Sequence, residues 1–419
     1  MSRNFPFYSV NLLFLSVILF VLGNCTSPSV SDLTDEDFLN KHIGFLASEE
    51  MQGRLAGSIF EAKASNYISD RFLLYGLIPS GDDGTYLQQF VLSGPMANML
   101  DAENLISRNV TGSIPGSRYP NRVIIIGAHY DGQGFGGPIS MDHDADLTIH
   151  PSADDNASGT AGLLYLARYF SMYRPDLTVQ LVAFSGEEMG LLGSSHFVEE
   201  MGGSTDNIVA MINLDMIGRL SEGNLTLFGT GSANIWNELL DEIEQDSLQI
   251  SRVETGAGSS DHAPFYSAGI PVLHYFTGNH EDYHRPTDTT DKINAQGMIW
   301  ILDHIKEVVY QFADIDPDQI EFTGERNPQP GIMSGDRVTL GVMPDYSFSG
   351  RGFRIEGVRE GQPADLAGLL SGDIIIQMDG IEVSDIYSYM ETLNEFESGQ
   401  QIDIRIIRDG NEIDFVLTF

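Results

Sequence analysis

The sequence predicts an α/β protein: a three-layer domain with a mostly parallel central sheet flanked by helices, joined to a small α+β module. Three observations carry this. Apolar strand runs alternate with helix-length segments from about residue 36 to residue 312. His, Asp and Glu residues recur directly after the strand runs. Near residue 314 the alternation stops at a stretch bearing Pro317, Pro328 and Pro330, and residues 332–419 follow a different pattern.

In chain order, the first feature is Arg3 followed by an apolar run, Val10 to Leu22 (VNLLFLSVILFVL). Its 13 residues fall short of the about 20 that span a bilayer, and suit the core of a signal peptide. The run ends in LGNC. Cys25 is the only cysteine, placed as in the lipid-attachment site of a bacterial lipoprotein, although Asn24 stands where a small residue is usual. Residues 1–25 are therefore expected to be a lipoprotein-type signal. With Cys25 acylated, the membrane is a partner and the protein sits lipid-anchored in the bacterial cell envelope or periplasm; simple cleavage would leave it secreted.

Residues 26–316 are expected to form the larger domain. Helical spacing covers residues 36–48, through Phe38, Ile43, Phe45 and Leu46, and then 60–75. Strands are expected at Val123–Ile126, Val179–Phe184, Ile208–Leu214 and Val272–Phe276. Helices are expected at Ser158–Tyr173, Leu191–Met201, Ile235–Ile243 and Ala295–Phe312. Residues 317–331 read as a linker.

Composition narrows the partners. With 22 Lys plus Arg against 60 Asp plus Glu the formal charge is −38, a field that argues against nucleic acid and anionic lipid surfaces. One cysteine leaves no internal disulfide, so stability rests on the core and on any bound metal.

In open α/β sheets, ligands gather beyond the carboxyl ends of the strands. The first strand runs into GAHYDG, placing His129 and Asp131; the second into SGEEMG, placing Glu187 and Glu188; the third into Asp215; the fourth toward Tyr283 and His284. SADDNASGT adds Asp154 and Asp155 ahead of a helix. Singly, each has a plainer explanation: a loop hydrogen-bonder, a helix-capping acid, a solvated pair. Converging from several strand ends, they imply a metal centre, and two imidazoles with three carboxylates suit zinc. Glu187 and Glu188 are consecutive and point apart, so one can face a metal and the other a water. Ser260-Asp261-His262 does not make a hydrolytic triad, since consecutive residues reach one another poorly. His143 and His150 read as surface residues of an acidic loop.

LASEEMQGRLAGS, GAHYDG, DDNASGT, AFSGEEMGLLGS, NLDMIGR, SSDHAPF and YHRPTDT stand in this order over roughly residues 36–313. The set resembles the zinc exopeptidases that include secreted bacterial aminopeptidases, glutamate carboxypeptidase-like enzymes and glutaminyl cyclases. The resemblance implies two zinc ions per chain: His129 and Asp215 on one, Glu188 and His284 on the other, Asp155 bridging. It also implies Glu187 as general base, Asp131 as the acid that orients His129, and Tyr283 as a donor to the oxyanion. Asp288 is expected to cap the following helix or to support the His284 loop. The implied activity is removal of N-terminal residues from peptides. Carboxypeptidase action, glutaminyl cyclisation and a catalytically silent peptide-binding lipoprotein are the alternatives, and the full ligand set favours two metals and hydrolysis.

The last module contains GQPADLAGLLSGDIIIQMDG at residues 361–380 and Leu340-Gly341-Val342 before it. This resembles bacterial PDZ domains, which implies a groove on a sheet edge for peptide C-termini.

Overall fold

The computed structural model describes residue 1 and residues 33–419, apart from 143–147, 203–204, 206, 244, 317–318, 325–337, 345–347, 349, 360, 385, 394 and 409. The apolar run with Cys25, and most of the expected linker, lie outside the described residues. No helix among the described residues is long and apolar enough to cross a membrane.

Nine strands make the larger sheet: β1 (Ile78–Pro79), β2 (Leu87–Val91), β3 (Ile106–Ile114), β4 (Tyr119–His129), β5 (Leu177–Phe184), β6 (Ile208–Leu214), β7 (Asn224–Phe228), β8 (Gln249–Val253) and β9 (Val272–Phe276). Their order is β1-β3-β5-β4-β6-β9-β7-β8, with β2 added beside β3. The centre, β5-β4-β6-β9, is parallel, and antiparallel pairs occur where β3 meets β5 and β7 meets β9. The four central strands are apolar along nearly their whole length because both faces are covered. Helices α1 (Asp35–Leu46), α2 (Ile59–Tyr75), α4 (Gly159–Met172) and α8 (Ala295–Phe312) pack together in one layer. On the other face, Ile125, Val182, Phe184 and Met211 meet Phe197 of α5 (Leu192–Glu200) and Phe265 of α7 (His262–Ser267). The short helices α3 (Pro95–Met99) and α6 (Trp236–Glu242) complete the set.

Register makes the site. Parallel pairing sets His129 beside Phe184 and Leu214 beside Tyr275, so β4, β5, β6 and β9 end together. Side chains borne just past those ends share one rim.

Residues 338–419 carry a second sheet, β10 (Val342–Pro344), β11 (Phe353–Val358), β12 (Ile374–Met378), β14 (Gln401–Arg408) and β15 (Asn411–Thr418) in that order, with β13 (Ile381–Glu382) beside β12. Helices α9 (Pro363–Ala367) and α10 (Ile386–Leu393) belong to it. Its core is its own, built from Leu340, Phe353, Ile355, Ile375, Met378, Ile402, Ile404 and Ile406. The segment before it is not wholly free. Phe322 bridges to Ala233 and packs at a tilt against Tyr266, and the Glu321 N–H donates to Asn234 Oδ1 at 3.0 Å.

Candidate metal centre

Two groups of donor atoms form at the rim, each within 4.8 Å: His129, Asp155 and Asp215, and Asp155, Glu188 and His284. They share Asp155. Its Oδ1 lies 3.3 Å from His129 Nε2 and its Oδ2 lies 3.3 Å from His284 Nε2. Asp215 Oδ1 is 3.3 Å from His129 Nε2, and Glu188 Oε2 is 3.4 Å from His284 Nε2. Glu187 joins neither group, and its backbone N–H faces Asp131 Oδ1 at 3.4 Å.

Each donor is aimed by its element. His129 ends β4, and its carbonyl accepts from Thr160 Oγ1 of α4 at 2.8 Å. Asp215 follows β6, with Ser260 Oγ donating to its Oδ2 at 2.6 Å and Asn213 Nδ2 donating to Ser260 in turn. The Asp155–Asn156 peptide bond is cis, and Asn156 Nδ2 donates to Leu214 O at 2.9 Å. His284 has φ +54°, in the left-handed region, and donates Nδ1–H to Ile139 O at 3.0 Å. That bond turns Nε2 toward Asp155 and Glu188. Non-glycine residues with positive φ also stand next to or near the other donors, at Ser152 and Met216, a concentration of strain usual for functional loops.

The electrostatics call for positive charge. Burial pushes the Glu188 carboxyl up to about 8, against the pull of His284. Burial likewise raises Glu187 well above its ordinary value, with Asp215 and Asp261 adding to it against His129. Burial pulls the imidazoles down, but Glu188 and Asp155 lift His284 to about 9, and Asp215 and Glu187 lift His129 well above its ordinary value. Burial opposes the charge of Asp155, yet hydrogen bonds from both imidazoles hold its pKa well below the usual range. A cluster of buried carboxylates that draws protons onto two imidazoles is one that divalent cations would satisfy. Nitrogen and carboxylate donors in two groups sharing one aspartate fit zinc.

Other expectations fare differently. Asp131 is fully buried, but its Oδ1 stands 3.7 Å from His129 Nδ1, which has no hydrogen-bond partner among the described residues. Tyr283 stacks on His284 with ring centroids 3.9 Å apart and packs with Met216, Phe228 and Phe276. Ser260 serves Asp215, while His262 stacks on His274 at 4.4 Å, so these neighbours do not form a triad. Asp288 Oδ2 accepts the backbone N–H groups of Asp154 and Asp155 at 2.9 and 3.1 Å, and so supports the Asp155 loop. His150 is a correction: it is buried, because its Nε2 pairs with Ser140 Oγ at 2.8 Å and its Nδ1 with Thr148 O at 3.0 Å. His143 lies outside the described residues.

Sequence reasoning passed over Gln133, whose Nε2 donates to Glu188 Oε1 at 3.3 Å, and Arg54, fully buried behind the rim. Arg54 lies inside a quoted motif, but nothing about one arginine in a loop distinguishes it from a surface charge.

Residues 109–312 match the profile of Peptidase family M28, and residues 320–418 match the PDZ domain. The chain is 30% identical over 224 residues to aminopeptidase YwaD of Bacillus subtilis, covering 50% of this chain and 45% of that one. The chain thus spans about half the length of the curated relatives it matches. A Zn-dependent exopeptidase from Parabacteroides distasonis superposes with TM-score 0.55 at 17% identity, over 66% of this chain and 97% of that one. The glutaminyl cyclase of Bacteroides thetaiotaomicron superposes with TM-score 0.54 at 18% identity, over 66% and 97%. At such identities the likeness is one of fold.

Proposed function

We propose that the chain, whose residues 109–312 match peptidase family M28 and whose residues 320–418 match the PDZ domain, is a zinc-dependent aminopeptidase with two ions in its centre. The observation that carries this reading is Asp155, whose two carboxylate oxygens face different imidazoles. His129 and Asp215 would hold one ion, Glu188 and His284 the other, and Asp155 one oxygen toward each. Zinc, when bound, supplies Lewis acidity that acidifies water and polarises a carbonyl.

The chain's own groups do the rest. Glu187 lies beside the donors without being one of them, and takes the proton of the attacking water at its carboxylate. The same carboxyl then delivers that proton to the departing amine. Tyr283, held flat against His284, offers its hydroxyl to the oxygen that gains charge. His129, Asp155 and Glu188 are buried, which strengthens the electrostatic contacts among these groups.

The test separates the two glutamates. Glu187→Gln is expected to abolish nearly all peptide cleavage with zinc content unchanged, and Glu188→Gln to lower zinc content. Elemental analysis of active parent protein should find two zinc ions per chain; one or none ends the dinuclear reading. Peptides blocked at one terminus or the other, together with an N-terminal glutaminyl peptide, distinguish aminopeptidase from carboxypeptidase and cyclase.

A further inference from the structure

Gln52, Gly53 and Arg54 all take positive φ, and Gly53 and Arg54 meet two loops of the rim. The Gly134 N–H donates to Gly53 O at 3.0 Å and the Gly132 N–H to Arg54 O at 3.3 Å. A Cβ on Gly53 would lie 2.4 Å from Gly134 O, so no other residue fits there. From this pinned turn the Arg54 side chain runs inward and is 0% exposed. Among the described residues it has no carboxylate within ion-pair distance. It spends its donors on backbone carbonyls: Nε to Tyr130 O at 2.8 Å, Nη1 to Leu46 O at 2.5 Å and Pro151 O at 3.0 Å, and Nη2 to Ser152 O at 3.0 Å.

Those carbonyls are not arbitrary. Tyr130 stands between His129 and Asp131. Pro151 and Ser152 lead into Asp154 and Asp155, and Leu46 ends α1. A guanidinium is a rigid planar fork with five N–H donors, and four bonds to three segments use that geometry in a way no single ammonium can. Asp288 grips the same segment from the other side through the Asp154 and Asp155 N–H groups. Burying a cation without a paired anion is costly, and here the compensation is four carbonyl dipoles together with the field of the nearby acids Asp131, Asp155, Asp288 and Glu188.

We infer that Arg54 is a positioning residue of the metal centre: by tying the His129–Asp131 loop to the Ser152–Asp155 loop, it sets the spacing between His129 and the shared Asp155. The role in metal binding rests on the zinc reading above; the clamp itself does not. Outer-sphere supports of this kind affect metal affinity by about 10–100-fold.

The experiment uses the full chain with Arg54→Lys, which keeps the charge and loses the fork, and Arg54→Met, which loses both. Hydrogen exchange is followed in chelator-treated protein, and zinc affinity is measured by competition with a chromogenic chelator. The expected result is faster exchange confined to residues 129–134 and 150–156, unchanged exchange in α4 and α8, and a zinc dissociation constant raised about 10–100-fold in both variants. Unchanged exchange at residues 150–156 in Arg54→Lys overturns the inference. So does faster exchange throughout the fold with zinc affinity unaltered, which is what a general core residue would give. If Arg54→Met does not fold, Arg54→Lys decides. If the parent takes up no zinc, the metallopeptidase reading fails, and the exchange comparison still decides the clamp.

Discussion

Glu61 of α2 is fully buried against Ser107 and Arg108 of β3, where burial opposes its ionisation. Tyr130 Oη lies 2.6 Å from Arg108 O and makes a short contact with Glu61 Oε1. The Tyr130 hydroxyl is the donor to both oxygens, so its single proton is shared between the carbonyl and the carboxyl and offsets only part of the cost of burying a charge on Glu61. Burial pushes the Glu61 pKa up to about 7, with Tyr130 and Arg108 opposing. Because the folded value is raised above the ordinary one of 4.5, the protonated group favours the fold. That contribution is complete below about pH 4.5 and is lost as pH rises through about 7, a change of order 3 kcal/mol. Glu61→Gln keeps a donor and never ionises. Urea unfolding at pH 5 and pH 8 should therefore show the variant losing less stability than the parent over that interval. Parallel losses would mean that Glu61 ionises freely in the fold.

At the scale of elements, α5 is pressed against the end of β5, and two glycines separate local from packed requirements. A Cβ on Gly193 would stand 2.2 Å from Ser185 O and 2.4 Å from Asn109 Oδ1, so α5 must retreat if it carries one. Ser185 and Gly186 lead directly into Glu187 and Glu188, and a displacement near 1 Å can cost about 100-fold in rate. Gly193→Ala is expected to lower kcat/KM by about that much. Gly44, exposed on α1, meets nothing within 4 Å, and Gly44→Ala should stabilise by about 1 kcal/mol with activity unchanged. Similar activities for the two variants would refute the packing argument. The same contrast explains what could be read from the chain beforehand. The spans Ile208–Leu214, Val272–Phe276 and Ala295–Phe312 match the structure end to end, because buried parallel strands and an amphipathic helix write their period in apolar residues. β3 was not legible, since Ser107, Asn109 and Thr111 are wholly buried there and polar. β7 and β8 lie at or near an edge and are short. His129, Glu188 and Asp215, which gather with Asp155 and His284 in the two donor groups, stand at or just past strand ends, where a sequence can point to them. Arg54 and Asp288 act on backbone groups, whose meeting place no residue pattern encodes.

For the whole molecule, the question is what residues 332–419 add to a centre whose donors all precede residue 285. Their hydrophobic cluster is separate, so each sheet has the means to hold itself together. Among the described residues, Arg359, just past β11, reaches the rim: its Nη2 donates to Gly137 O at 3.3 Å. Gly137 begins the turn whose Ile139 carbonyl holds the His284 ring. Losing one such hydrogen bond is worth about 0.5–1.5 kcal/mol, so deletion of residues 332–419 should leave zinc binding intact and cleavage of a dipeptide-sized substrate within about tenfold. Long peptides should suffer more. β10 ends its sheet order, and Gly341 just before it has φ +70° with Gln362 pressed where a side chain would sit; the prediction is that a peptide C-terminus adds as a strand at this edge. Holding one end of a peptide on the chain puts the other at an effective concentration of about millimolar near the centre, which lowers KM for long substrates and leaves kcat alone. The comparison is therefore of KM and kcat for a short and a long substrate, in parent and truncated protein. A rise in KM confined to the long peptide supports tethering. Equal losses of kcat on both would place the module's effect in the Gly137–Ile139 turn, and no loss on either would mean that any peptide it binds is not the substrate.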